Sequence, residues 1–120
     1  MSEELLIITT LGPEAPEKLL MPFITANAAL ALDIKVTMFL MSSAVELAVK
    51  GAAAKIPTLD QMPTLPTLME SVVSQGGDFL LCGPCSNHRN IKPEDLIEHA
   101  SIGGAAGLVN HIMGKKVVSF

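Results

Sequence analysis

Short apolar runs alternate with helix-like segments along this chain. The first run, residues 5–10, ends in two threonines and is stopped by Gly12 and Pro13, as expected for a strand that is covered on both faces. Four later runs have the same strand-like character, at residues 34–41, 78–82, 100–102 and 116–120. Between the strands, apolar spacing and capping residues predict helices over residues 14–32, 44–50, 64–75, 93–99 and 105–113.

This order of elements predicts the fold. Strands that alternate with helices pair in parallel through right-handed crossovers. We therefore predict one domain over residues 1–120, an α/β fold built as a three-layer α/β/α sandwich with a mostly parallel five-stranded sheet. Pro22 predicts a kink in the first helix, and the proline-rich residues 55–63 predict a surface loop. Ser43 and Glu46 have the spacing of a capping box.

Composition and charge narrow the classes of function. Eight basic against twelve acidic residues give a net charge of −4, which leaves no source for the attraction to phosphate that nucleic-acid binding needs. Asp33 and Lys35 interrupt the longest apolar stretch, so no run reaches the roughly 18 residues of a membrane span. The acidic residues 1–4 do not resemble a secretory leader, and we expect a cytoplasmic protein. Because 49% of the residues are hydrophobic, more than a domain this small buries easily, we also expect a homo-oligomer.

Both cysteines of the chain lie in one motif, Cys-Gly-Pro-Cys at residues 82–85, where the third predicted strand ends. In parallel sheets, ligands and chemistry collect beyond the carboxyl ends of the strands. Two thiols at this spacing in a reducing compartment are more often reactive or metal-binding than a structural crosslink. The backbone N–H groups of Gly83 and Cys85, with the nearby cations of His88 and Arg89, are expected to lower a thiol pKa here.

Three other interpretations of the motif stay open. The cysteines could be partly buried small hydrophobes. Cys-Gly-Pro-Cys is also the motif of thioredoxin-type dithiol oxidoreductases, although the chain has no Trp before it. A zinc site is the third possibility, and its ligands would be Cys82, Cys85 and His88 with His99 or His111. A single Cys-x-x-Cys pair is a weak zinc signal, and no dinucleotide or Walker motif occurs, so we predict neither a metal nor a cofactor.

The motif and its surroundings resemble the DsrE/DsrF/TusD-like family of sulfur-relay proteins. The third strand leads into Cys82, with Cys85 three residues on and Arg89 seven residues on, which are the positions found in that family. Residues 36–51 resemble the family's second strand and helix, and residues 114–120 resemble its closing strand.

Two positions depart from the family pattern. Asn90 follows the arginine where Gly is common, and Ala44 follows the second strand in place of another Gly. Asn tolerates a positive φ better than most other non-glycine residues, so we expect the turn at Asn90 to survive.

The resemblance implies an α/β/α sandwich that assembles as a dimer, trimer or hexamer and passes sulfur as a cysteine persulfide between donor and acceptor proteins. On this hypothesis Cys82 accepts and carries the sulfane sulfur, while Cys85 either releases it or takes no part. Arg89, Gly83 and His88 would bind the anionic sulfur. Two alternatives are a dithiol oxidoreductase that needs both cysteines, and a non-catalytic oligomeric subunit that binds a partner through an exposed edge.

Overall fold

A sheet of five strands is the centre of the molecule. The structure is a computed structural model that describes residues 3–120, so Met1 and Ser2 of the acidic N-terminal segment lie outside the described residues. In chain order the strands are β1 (Glu4–Thr9), β2 (Lys35–Leu40), β3 (Asp78–Cys82), β4 (Ala100–Gly103) and β5 (Lys116–Ser119). Their order in the sheet is β4-β3-β2-β1-β5, and every neighbouring pair is parallel. The predicted α/β class and the five-stranded sheet are confirmed.

Four α-helices connect the strands. They are α1 (Leu20–Ala31), α2 (Leu65–Ser74), α3 (Gly83–His88) and α4 (Ala105–Gly114). Three short 3₁₀ helices lie at Ser42–Ala48, Ala53–Lys55 and Pro93–Asp95. None of the helices within residues 3–120 has the length and apolar character that crossing a membrane requires.

The two faces of the sheet are covered unequally. Helices α1 and α2 pack against each other on one face, over a core that includes Met38 of β2 and the ring pair Phe23 and Phe79, whose centroids lie 6.2 Å apart. Thr37 points to the opposite face because side chains alternate along a strand, and its hydroxyl accepts a hydrogen bond from Lys115 at the end of α4. Helix α4 therefore lies on the second face, and none of its residues is buried.

Helix α1 begins six residues later than the sequence pattern predicts. Residues 16–19 form turns, and the regular helix starts at Leu20. Pro22 consequently lies in the first turn, where a missing N–H breaks no intrahelical hydrogen bond. The predicted kink inside this helix is therefore wrong.

Two further local predictions are corrected by contacts between distant parts of the chain. Helix 93–99 is reduced to the single turn Pro93–Asp95, because Leu96 forms an antiparallel bridge with Val49 and the N–H of Ile97 donates to the Ala48 carbonyl. The capping box at residues 43–46 does not form, since the segment is a 3₁₀ helix without a side-chain cap. Loop 55–63 has no regular structure after the turn Ala53–Lys55, as predicted.

Candidate functional site

The two cysteines lie on either side of the start of α3. Cys82 is the last residue of β3, and Cys85 is the third residue of α3, which begins immediately after the strand. Both thiols are free and half-buried. The hydroxyl of Ser86, which is fully buried, donates to the Cys82 carbonyl oxygen over 2.9 Å. The strand end and the helix start are thus fixed to each other, with both thiols at the carboxyl edge of the sheet as predicted.

Two glycines lie next to Cys82 where the chain packs closely. Gly83 follows Cys82 in sequence, and Gly103 is the residue paired with Cys82 on β4. An added Cβ on Gly83 would lie 3.1 Å from the Gly103 carbonyl oxygen, and one on Gly103 would lie 2.8 Å from Cδ1 of Leu80. The Gly103 backbone and the Leu80 side chain approach so closely that neither glycine position has room for a side chain.

Cys85 receives a hydrogen bond from the backbone of another strand end. The N–H of Ser42, just after β2, donates to the Cys85 sulfur over 3.1 Å. Ser42 has φ of 54°, a left-handed conformation that costs free energy for a residue other than glycine. This hydrogen bond ties the Cys85 side chain to the end of β2.

Arg89 connects α3 to the 3₁₀ helix Ser42–Ala48. Its Nε donates to Oε2 of Glu46 over 3.0 Å, and its Nη1 donates to the Cys85 carbonyl oxygen over 3.2 Å. These partners are a carboxylate and a carbonyl oxygen, so the action of Arg89 on an anionic sulfur stays a prediction. Asn90 has φ of 55°, which confirms that Asn serves in the turn where glycine is common.

His88 lies at the far end of α3 from Cys82. It is exposed in the last turn of this helix, and within residues 3–120 no hydrogen bond or ion pair joins it to either cysteine. Its predicted part in binding the substrate sulfur stays a prediction.

The pKa of Cys82 differs from the sequence expectation. Burial raises the pKa of the Cys82 thiol, and the Cys85 side chain raises it further through a hydrogen bond and through its charge. The backbone N–H of Cys85 acts in the opposite direction. The N–H groups at the motif therefore do not lower the pKa of Cys82 overall.

Glu14 belongs to the same edge, although sequence reasoning missed it. Its carboxylate accepts a hydrogen bond from the Gly12 N–H over 2.9 Å. A hydrogen bond from the Ser43 hydroxyl is the largest influence on Glu14, whose pKa lies below the usual glutamate value, and the charge of Arg89 contributes to the same lowering. Its position just after β1 was the available signal, since the carboxyl ends of parallel strands meet at one edge.

The cysteines lie outside the two described cavities. A groove of about 700 Å³ runs between α2 and the segments around Lys50 and Ile97, and a cavity of about 370 Å³ lies beside α4. Neither is lined by Cys82 or Cys85. Among residues 3–120, no group of three or more His, Cys, Asp or Glu side chains is arranged to hold a metal ion.

The fold agrees with a known class of α/β proteins. The model of the DsrE/DsrF-like family matches residues 3–120, and the chain belongs to this family. The uncharacterized protein MK0008 of Methanopyrus kandleri is 32% identical over 117 residues, which cover 95% of this chain and 93% of that protein. The uncharacterized protein MJ0760 of Methanocaldococcus jannaschii is 32% identical over 110 residues, which cover 92% of this chain but only 40% of that longer protein.

Solved structures share the architecture. The YchN protein of E. coli superposes with a TM-score of 0.81 over the whole of both chains, at 23% sequence identity. Protein MTH1491 of Methanobacterium thermoautotrophicum superposes over the whole of both chains with a TM-score of 0.71, at 13% identity. At these identities the likeness concerns the fold.

Proposed function

We propose that this protein carries sulfane sulfur as a persulfide on Cys82, between a donor and an acceptor protein in the reducing cytoplasm. The observation that carries the proposal is the free, half-buried Cys82 thiol at the end of β3, with the free Cys85 thiol at the start of the helix that follows. The DsrE/DsrF-like family is generally one of sulfur-relay proteins, and the chain belongs to it over residues 3–120.

The loading step is a displacement at sulfur. The Cys82 thiolate attacks the terminal sulfur of a donor persulfide, a bond forms between the Cys82 sulfur and that sulfane sulfur, and the donor leaves as a thiolate. No net oxidation occurs, because one persulfide replaces another. The raised pKa of Cys82 means that only a small fraction is thiolate at neutral pH, so the step accelerates as the pH rises.

The position of the thiols suits a protein as donor or acceptor. A small-molecule substrate is usually enclosed in a cavity, whereas Cys82 and Cys85 lie on the rim of the sheet and line neither described cavity. A cysteine presented by another protein can approach this rim, because the Cys82 thiol is only half-buried.

Intact-mass measurement tests the carrier function. The reduced protein is incubated anaerobically with glutathione persulfide as the probe, freed of small molecules and weighed, and the modified residue is located by peptide mapping. We expect the Cys85→Ser variant to gain one sulfur atom, about 32 Da, on Cys82. The matched Cys82→Ser variant is expected to gain none. Equal labelling of the two variants, or no gain on Cys82, would overturn the proposal.

We also propose that a second copy of the chain covers the exposed face of α4. Of the five large apolar side chains that are exposed within residues 3–120, four lie on α4 and β5, namely Val109, Ile112, Met113 and Val117. An apolar patch of this kind usually marks an interface. The same patch meets its own copy in a two-fold symmetric dimer, which is the commonest form of self-association.

Dithiol exchange is the second candidate function, and the two free thiols on either side of the start of α3 favour it. An oxidoreductase would cycle between a dithiol and a disulfide with thiol substrates and would need both cysteines equally. The Cys85→Ser variant separates the two functions, since a carrier keeps its sulfur in this variant whereas a dithiol oxidoreductase loses all activity.

A further inference from the structure

We infer that Cys85 is a resolving thiol that attacks the persulfide on Cys82 and releases hydrosulfide, which adds a sulfide-releasing reaction to the carrier function. The inference rests on the proposed function, because it needs a persulfide on Cys82. In this scheme Cys82 carries the sulfur. Attack by Cys85 determines whether the sulfur leaves as hydrosulfide or stays on Cys82 for transfer.

The geometry brings the two sulfurs together. Cys82 precedes the first residue of α3, and Cys85 lies three positions later on the first turn, so both side chains are at the same end of a short helix. The Cys85 side chain is near enough to contribute to the raised pKa of Cys82. A sulfur on the first turn of the helix that Cys82 precedes can reach Cys82 without a large movement of the chain.

The backbone of both cysteines is held in place. Ser86 donates to the Cys82 carbonyl oxygen over 2.9 Å, and Arg89 donates to the Cys85 carbonyl oxygen over 3.2 Å. Ser86 is fully buried, and Arg89 is fixed in turn by Glu46. Both thiols are free, so the two side chains can rotate while these hydrogen bonds hold the backbone.

Ser42 holds the Cys85 sulfur in place. Its N–H donates to the Cys85 sulfur over 3.1 Å. Ser42, which provides this N–H, has φ of 54°. This left-handed conformation costs free energy for a residue other than glycine. The thiolate form is the nucleophile in attack on a persulfide.

The reaction balances without an external oxidant. The Cys85 thiolate attacks the Cys82 sulfur, a bond forms between these two sulfurs, and the bond from Cys82 to the sulfane sulfur breaks. The sulfane sulfur leaves as hydrosulfide with its proton and the bonding electron pair. Two cysteine sulfurs are oxidised to a disulfide, and the sulfane sulfur is reduced. A low-molecular-weight dithiol or a protein dithiol would then return the pair to two thiols.

A single-turnover experiment tests this step. Reduced wild type, Cys85→Ser and Cys82→Ser are treated anaerobically with glutathione persulfide, freed of small molecules at once, and followed by intact mass and by hydrosulfide assay. We expect wild type to become about 2 Da lighter than the reduced protein, with one hydrosulfide released for each disulfide formed. Cys85→Ser should keep its additional sulfur on Cys82 and release no hydrosulfide.

The outcomes separate this inference from the carrier function. Wild type that keeps its persulfide as long as Cys85→Ser does, without hydrosulfide, overturns the resolving role and leaves the carrier function standing. Release accompanied by a glutathione adduct on Cys82 also overturns it, because glutathione rather than Cys85 would then be the attacking thiol. A Cys85→Ser variant that takes up no sulfur overturns the carrier function and this inference together.

Discussion

Arg89 and Glu46 form an ion pair with 3.0 Å between Nε and Oε2, and the same guanidinium donates to the Cys85 carbonyl oxygen. One side chain therefore holds the helix that carries Cys85 against the 3₁₀ helix Ser42–Ala48, whose first residue donates to the Cys85 sulfur. Both contacts on Cys85 depend on these two segments staying together.

Replacing Arg89 by Lys should weaken this connection only modestly. Lys cannot donate to Glu46 and to the Cys85 carbonyl in the same planar geometry. The pair is partly solvated, with 25% and 44% of the two side chains exposed, so we expect the free energy of unfolding to fall by about 0.5–1 kcal/mol. Urea denaturation of Arg89→Lys, Glu46→Gln and the double variant measures the coupling. Strictly additive effects of the two substitutions would contradict a direct interaction.

Gly12→Ala should destabilise the protein and disturb the site. An added Cβ at Gly12 would lie 2.5 Å from the Ser43 carbonyl oxygen, which is backbone and cannot rotate away. We expect a loss of about 1–3 kcal/mol in the free energy of unfolding, together with altered alkylation of Cys85, because Ser42 would be displaced. Gly107→Ala is the matched control, since nothing lies within 4 Å of its added Cβ in the interior of α4.

The control has an expected sign of its own. Gly inside a helix is less favourable than Ala, so Gly107→Ala should stabilise the protein by about 0.5–1 kcal/mol. Thermal unfolding of the two variants beside wild type is sufficient to compare them. Similar changes of stability in the two variants would show that close packing against Ser43 is not the reason why Gly12→Ala is destabilised.

The fold was largely predictable because its signals are local. All five strands were found within two residues of their bounds, since each is a short apolar run stopped by turn residues or by the following helix. Helix α2 was placed as closely, because Thr64 caps it and Gly76 follows its end. Helix 93–99 was wrong because the bridge between Leu96 and Val49 joins residues that are 47 positions apart, and no local pattern reports such a contact.

The site was predictable in position and not in detail. The end of β3 identified Cys82 and Cys85, because chemistry at the carboxyl edge is a property of parallel sheets. Ser42 acts through its backbone N–H, which every residue except proline has, so its identity carries no signal. Glu46 had the spacing of a helix cap, and only the packing of α3 shows that its carboxylate binds Arg89 instead.

Removing the Ser43 hydroxyl should raise the pKa of Glu14. The hydrogen bond from Ser43 is the first cause of the lowered pKa of this carboxyl, so Ser43→Ala should bring it closer to the usual glutamate value. A depressed carboxyl pKa adds stability above the unfolded-state pKa, and this stability is lost as the pH falls through the folded-state pKa. We therefore expect Ser43→Ala to lose less stability than wild type on acidification. An unchanged Glu14 titration by NMR would contradict the assignment.

The reactivity of Cys82 should shift with pH when Cys85 is replaced. Burial is the largest cause of the raised pKa of Cys82, and the Cys85 side chain adds to it. In Cys85→Ala the midpoint of Cys82 alkylation by iodoacetamide should move to lower pH but stay above that of a free thiol, because burial remains. Cys85→Ser is the comparison, since it removes the charge and keeps a hydrogen-bonding group. A midpoint that is the same in wild type and in Cys85→Ala would show that the thiols do not interact.

Lysine on the exposed face of α4 should prevent self-association without unfolding the chain. Val109 and Met113 are one helical turn apart and are 52% and 80% exposed, so Val109→Lys and Met113→Lys bury no charge in a single copy. In a two-fold dimer each substitution places lysines from both copies in an apolar contact, and a loss of about 1.4 kcal/mol per substitution corresponds to tenfold weaker association. Leu32→Lys is the control, because Leu32 is 73% exposed just after α1, away from α4. Sedimentation velocity should give a monomer for the α4 double variant and the wild-type mass for Leu32→Lys. If the α4 double variant and Leu32→Lys both kept the wild-type mass, the interface would lie elsewhere. A dimer of the double variant would contain four lysines on α4, and the apolar centre of an interface does not tolerate them.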